Sequence, residues 1–194
     1  MKNLRLLLAA LAFIGATAQV TIAQQVATFQ PNNSKLEIKG TSNLHEWEEF
    51  VESFNVQLEF VSENNAIKGI RKVVFTGKSA SVESDNSIMT NKTHEALKTD
   101  KFPDIKFTQT SEGSFSNDEG TLSGSISGNL ALAGVTKMIT LPFEGKIASG
   151  TMYISGTQKL KMSDFDISAP TALLGSLKTG DEVELVYSLQ FLID

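Results

Sequence analysis

Apolar and polar residues alternate with period two along most of this chain, and nowhere more plainly than over residues 121–148, TLSGSISGNLALAGVTKMITLPFEGKIA. Leu122, Ile126, Leu130 and Leu132 fall on one side of the first run, with Ser123, Ser125, Ser127 and Asn129 on the other. In the second run Ile139, Leu141, Phe143 and Ile147 share a face, opposite Thr140 and Glu144. Side chains alternate across a strand, so each run predicts a strand with one dry and one wet face. The Gly134-Val135-Thr136-Lys137 segment between them predicts a short turn, and the pair a long antiparallel hairpin. Gly124 and Gly128 leave gaps on the apolar face, where the first strand can bend.

The same pattern recurs in both directions. Residues 34–40 place Leu36 and Ile38 inward and Lys35, Glu37 and Lys39 outward. Residues 53–61 set Phe54, Val56, Leu58 and Phe60 against Asn55, Gln57 and Glu59. Residues 66–82 predict one or two strands, and residues 104–110 one with Ile105 and Phe107 inside. Residues 151–162 alternate less cleanly, whereas residues 181–193 bring Val183, Leu185, Tyr187, Leu189 and Phe191 to one face. Between these lie stretches that predict no regular element: residues 41–50, a polar turn at 113–120 and a long connection at 164–180. One helix is expected, over residues 91–101, capped by Asn91 or Thr93 and stopped by Phe102-Pro103. About eight such strands joined by short turns make a sandwich or a closed barrel. The strands are long, and closure removes their edges, so the expected fold is all-β: an extended antiparallel up-and-down barrel with one short helix.

At the N-terminus Lys2 and Arg5 precede an apolar run, residues 6–14, too short to cross a bilayer. Small-residue cleavage sites follow at Ala18 and Ala23, so residues 1–23 are expected to be a signal peptide and residues 24–194 a single domain. With 0 Cys the exported domain carries neither a disulfide nor a lipidated cysteine, which fits a soluble protein of a bacterial periplasm. The formal charge of −5 and the absence of basic clusters argue against a nucleic-acid partner. No stable membrane insertion is expected, and a homodimer is left open.

Candidate chemistry is sparse. The chain has 2 His, His45 and His94, too far apart to suggest a shared site, and neither stands in a hydrolase or metalloprotease motif. His45-Glu46-Trp47-Glu48-Glu49 is the one constellation that suggests chemistry: an imidazole among carboxylates that would hold a metal or orient a head group. The plainer interpretation, a charged loop whose Trp47 closes one end of the barrel, is preferred, because a single His rarely makes a metal site. Asp164 and Asp166 fall short of the oxygen ligands calcium needs. No catalytic residue and no metal site is therefore assigned. Periodicity alone leaves open whether the inward residues fill a core or line a cavity.

Several segments, in order, resemble the YceI-like family of periplasmic proteins. They are Ser42-Asn43-Leu44-His45-Glu46-Trp47, His94 through Leu97 with Phe102-Pro103-Asp104-Ile105-Lys106-Phe107, the Gly134-Val135-Thr136-Lys137 hairpin with Ile139-Thr140-Leu141-Pro142, and Lys178-Thr179-Gly180-Asp181-Glu182-Val183. The resemblance implies a lipocalin-like barrel that binds a polyisoprenoid or related long-chain amphiphile, and so a partly hollow interior. Phe54, Val56, Leu58, Phe60, Ile105, Phe107, Leu130, Leu132, Leu141, Phe143, Leu185 and Leu189 are then the candidate lipid-binding wall. Tyr187 would offer its hydroxyl to a head group, and His45 and Trp47 would line the mouth. No cofactor is expected beyond a bound isoprenoid or quinone-like lipid. Two alternatives stand beside this one: an enzyme acting on a lipid or quinone head group, and a solid-core interaction module.

Overall fold

The computed structural model describes residues 23–64, 66–111, 113–172 and 176–193; the expected signal peptide, Ala23 excepted, lies outside them. In chain order the described strands begin with β1 (Ala23–Phe29), β2 (Lys35–Ser42), β3 (Glu46–Val51), β4 (Phe54–Glu63), β5 (Ala66–Lys78) and β6 (Val82–Glu83). The helix α1 (Ser87–Leu97) precedes β7 (Asp104–Gln109), β8 (Ser114–Asp118), β9 (Thr121–Leu132) and β10 (Val135–Ala148). β11 (Thr151–Lys161), β12 (Thr171–Ala172) and β13 (Leu177–Leu192) complete the chain.

The strands pair antiparallel in the order β1-β4-β5-β7-β9-β10-β11-β13, and pairing of β1 with β13 closes the ring. That is an eight-stranded closed barrel, as the alternation predicts. β2 continues the wall from β1 along the far half of β13, and β3 continues it from β4 alongside β2. β6 then pairs with β3. Bent, two-part strands of this kind lengthen the barrel beyond what the eight walls alone would span.

The central hairpin forms as expected, with β9 and β10 paired from Val135↔Leu132 to Lys146↔Thr121. Its turn, however, is the two residues Ala133 and Gly134, at φ 51° and 88°, while Val135, Thr136 and Lys137 already belong to β10. Two residues at positive φ give the turn whose twist matches that of the flanking strands. The pairs Glu119-Gly120 and Ser149-Gly150 repeat the device at both neighbouring hairpins. Phe143 lies across Gly124 and Phe107 across Gly128, so the gaps on the apolar face of β9 receive aromatic rings.

Four local expectations change. Residues 41–50 are not irregular, since they finish β2 and form most of β3. Residues 113–120 hold β8, paired with the first half of β9. The connection 164–180 contains β12 and the start of β13. The helix begins earlier than its apolar residues suggest. Asn86, in an extended conformation, accepts from the amides of Ile88 and Met89 with its side-chain oxygen, and Lys98 at φ 54° ends the helix. A cap outside the apolar stretch satisfies the first free amides, which moves the whole element four residues upstream.

Two apolar clusters hold the barrel. One fills an end: Ala27, Val56, Leu58, Phe60, Ile67, Ile70, Leu122, Phe143, Met152, Ile154 and Phe191, with Phe29, Phe54 and Phe75 packed against them. The rings of Phe191, Phe29, Phe54 and Phe75, in that order, lie 5.5–5.7 Å from one to the next across it. The other cluster ties Leu97 of α1 to Val51, Val82, Ile105, Phe107, Leu130, Phe165 and Ile167.

A hydrocarbon cavity under a helix

Between the two clusters the interior is hollow, with a cavity of about 400 Å³. Its floor is the top of the packed end, where Val56, Leu58, Phe143 and Phe191 belong to both. Higher up, inward residues such as Leu36, Leu132, Ile139, Leu141, Leu160 and Leu189 keep intermediate exposure although they face inside, because empty space rather than side chains lies in front of them. The lining reaches exposed residues at the other end: His45 in the β2–β3 turn, Ile88 at the start of α1, and Lys161 and Thr171 beside the connection into β13. The cavity opens there.

The strand alternation places the anticipated wall residues on this surface. β4 supplies Phe54, Val56 and Leu58; β7, Ile105 and Phe107; β9, Leu130 and Leu132; β10, Leu141 and Phe143; β13, Leu185, Tyr187 and Leu189. Phe60 is the exception. It is 2% exposed within the packed end and does not reach the cavity, although it faces inward on the same strand as Leu58.

Tyr187 lines the wall, but its hydroxyl is engaged elsewhere, donating to the carbonyl of Pro142. The two strands β10 and β11 pair only from Glu144↔Ser155 to Ala148↔Thr151, and the ladder stops short of Pro142, which has no N–H to continue it. Tyr187, paired with Gly156 on β11, lies across that glycine and reaches Pro142 on the strand beyond. Burial pushes its phenol up to about 12. The expectation that this hydroxyl serves a head group gives way to a clasp between walls.

His45 and Trp47 both stand at the mouth. Trp47 is half-buried rather than a plug: its ring covers Gly40 on β2 and its indole N–H donates to Thr41 O at 3.0 Å. No side chain beyond hydrogen fits at Gly40 beneath it. The exposed His45 ring bonds the Glu46 carbonyl through Nδ1 at 2.7 Å.

Of the charged stretch around these residues, Glu46 and Glu48 face solvent while Glu49 faces in, 2% exposed. Glu49 lines the cavity, and its Oε1 accepts from the Thr93 hydroxyl of α1 at 2.6 Å. Burial raises its carboxyl above the ordinary value, against smaller opposing effects of the Thr93 hydrogen bond and of nearby His94. The His94 ring itself bonds the Val82 carbonyl at 2.9 Å. In sequence Glu49 is one member of the His45–Glu49 stretch and Thr93 a candidate helix cap, with nothing to join the two. The signal was present: Trp47, Glu49 and Val51 alternate with Glu46, Glu48 and Phe50, which sets one acid on an inward face.

A YceI-like domain matches residues 27–191. The chain belongs to the YceI-like family. Solved structures with the same fold include Burkholderia cenocepacia BcnA, 17% identical, TM-score 0.66, covering 84% of this chain and 98% of that one. A polyisoprenoid binding domain from Saccharophagus degradans, implicated in plant cell wall breakdown, is 13% identical at TM-score 0.64, covering 87% and 98%. The Campylobacter jejuni YCEI protein is 23% identical at TM-score 0.59, covering 79% and 85%. No curated protein matches the chain. At these identities the likeness shows a shared fold. Among the described residues no helix is long and apolar enough to cross a membrane, and no three His, Asp or Glu side chains gather as a metal site would require.

Proposed function

We propose that this YceI-like protein is a periplasmic binding or carrier protein that holds a polyisoprenoid or similar long-chain amphiphile, tail inward, in the barrel. The observation that carries this is the cavity: about 400 Å³, lined almost wholly by hydrocarbon, closed at one end and open under α1. A volume of that size is typical of sites that enclose a small molecule. Burying hydrocarbon yields ~0.8 kcal/mol per methylene-sized group, so three isoprene units offer roughly 12 kcal/mol before ordering and association costs. Micromolar or tighter binding needs no polar contact at all. The Saccharophagus degradans domain described as polyisoprenoid binding, which shares the fold, supports the choice of ligand class. The N-terminal sequence supports export to the periplasm.

The lining favours binding over catalysis. His45 and Ser42 both lie at the mouth, yet the His45 ring bonds the Glu46 carbonyl and the Ser42 hydroxyl donates to the His45 carbonyl. They do not form a base–nucleophile pair. A solid-core interaction module is disfavoured by the hollow interior.

Native mass spectrometry of protein freshly isolated from its host, with titration of a fluorescent prenyl probe into delipidated protein, tests the proposal. An adduct of lipid mass, or saturable uptake displaced by prenyl lipids, is expected. A bare mature chain that takes up no probe would sink it.

A further inference from the structure

We infer that Glu49 and Thr93 form a head-group subsite in the roof of the cavity, one that selects an amphiphile with an uncharged hydroxyl or amide head over one ending in phosphate or carboxylate. This rests on the binding function proposed above and narrows its ligand. Nearly every other surface in the cavity wall is hydrocarbon, so the one buried acid there fixes where a polar atom can be satisfied out of water.

The donors and acceptors define what fits. Thr93 uses its hydroxyl proton on Glu49 Oε1, and among the described residues the Glu49 side chain makes no other hydrogen bond. Its second oxygen is therefore left for a guest, and the Thr93 oxygen keeps acceptor capacity. No cation bonds this carboxyl among the described residues. Lys92, one position away on α1 and also on the cavity lining, has its ammonium paired with Glu95 at 2.7 Å. His94 turns its ring to the Val82 carbonyl. His45 and Lys161 stand at the exposed rim. Burial among hydrocarbon drives this carboxyl towards its protonated form, against the smaller opposing effects of the Thr93 hydrogen bond and of nearby His94. The free oxygen of Glu49 accepts from a guest's donor, and the protonated form that burial favours also donates, which a hydroxyl or amide head returns in kind. An anionic head at the same place would have to shed its water beside a second acid to which no cation is bonded among the described residues, a cost that one hydrogen bond does not offset.

The experiment compares three probes with one tail: a prenol, its prenyl monophosphate and the headless isoprenoid hydrocarbon, each titrated against wild type, Glu49→Gln and Glu49→Leu. Circular dichroism confirms that each variant is folded. Wild type is expected to bind the prenol about tenfold tighter than the phosphate, the worth of one buried hydrogen bond. Glu49→Gln, which keeps a neutral donor and acceptor, should hold prenol affinity within about twofold. Glu49→Leu should lose about tenfold for the prenol and leave the hydrocarbon unchanged. Phosphate bound as tightly as prenol by wild type, or prenol affinity indifferent to Glu49→Leu while the hydrocarbon binds, overturns the subsite and spares the cavity. Failure of wild type to bind even the hydrocarbon overturns both.

Discussion

Replacing Tyr187 by Phe separates a structural hydroxyl from a ligand-binding one. The ring and its cover over Gly156 stay; only the bond to the Pro142 carbonyl goes. A lost hydrogen bond costs ~1 kcal/mol, and a carbonyl left dry costs up to ~3 kcal/mol. Pro142 is itself exposed, so water can reach its carbonyl, and the expected loss is ~1 kcal/mol. In a domain of this size that lowers Tm by about 2–4 °C and shifts the urea midpoint without changing the slope. A second signature is alkaline. The phenol is held at about 12 in the folded protein against an ordinary value of 10.0, so between those values the folded state binds more protons than the unfolded one. Wild-type stability therefore falls as pH rises from 10 towards 12. The Tyr187→Phe variant lacks that component, and the two urea midpoints should converge over the window. Prenyl-probe affinity should not change. Weakened probe binding with unaltered stability would refute the clasp and return the hydroxyl to the ligand.

Other substitutions test the division of the interior. Leu185→Trp, on the wall beside the void, should weaken probe uptake by about tenfold or more and leave the melting temperature unchanged or raised, because the larger side chain occupies empty space rather than displacing packed neighbours. Phe60→Ala, in the filled end, should cost ~3–5 kcal/mol in urea unfolding while the folded fraction keeps its probe affinity. Asn86→Ala removes the oxygen that takes the Ile88 and Met89 amides and should cost ~1 kcal/mol in the same assay, with faster amide exchange confined to the first turn of α1.

The alternation of residue types determined most of the long strands and the face their side chains take, and the length of the runs favoured a closed barrel, although β1, β3 and β8 were not legible in it. It did so because a strand's two-residue period is local and needs no partner to be expressed. That is why Leu58, Leu130, Leu141 and Leu189 lie on the inner wall where the pattern puts them. The same pattern could not separate Phe60 from Leu58. Both face inward, and only the closing of eight walls sets the depth at which an inward side chain meets another or meets a void. β3 was hidden for a related reason. Its edge is paired to β2 and β6 rather than marked by apolar residues, and the charge of Glu46 and Glu48 masks the inward step of Trp47, Glu49 and Val51. The partners that give the polar atoms their roles are remote in the chain: Tyr187 with Pro142, Glu49 with Thr93. A hydrogen bond across such a separation exists only once the barrel has closed, so tertiary structure alone decided which hydroxyl is a clasp and which acid waits in the cavity.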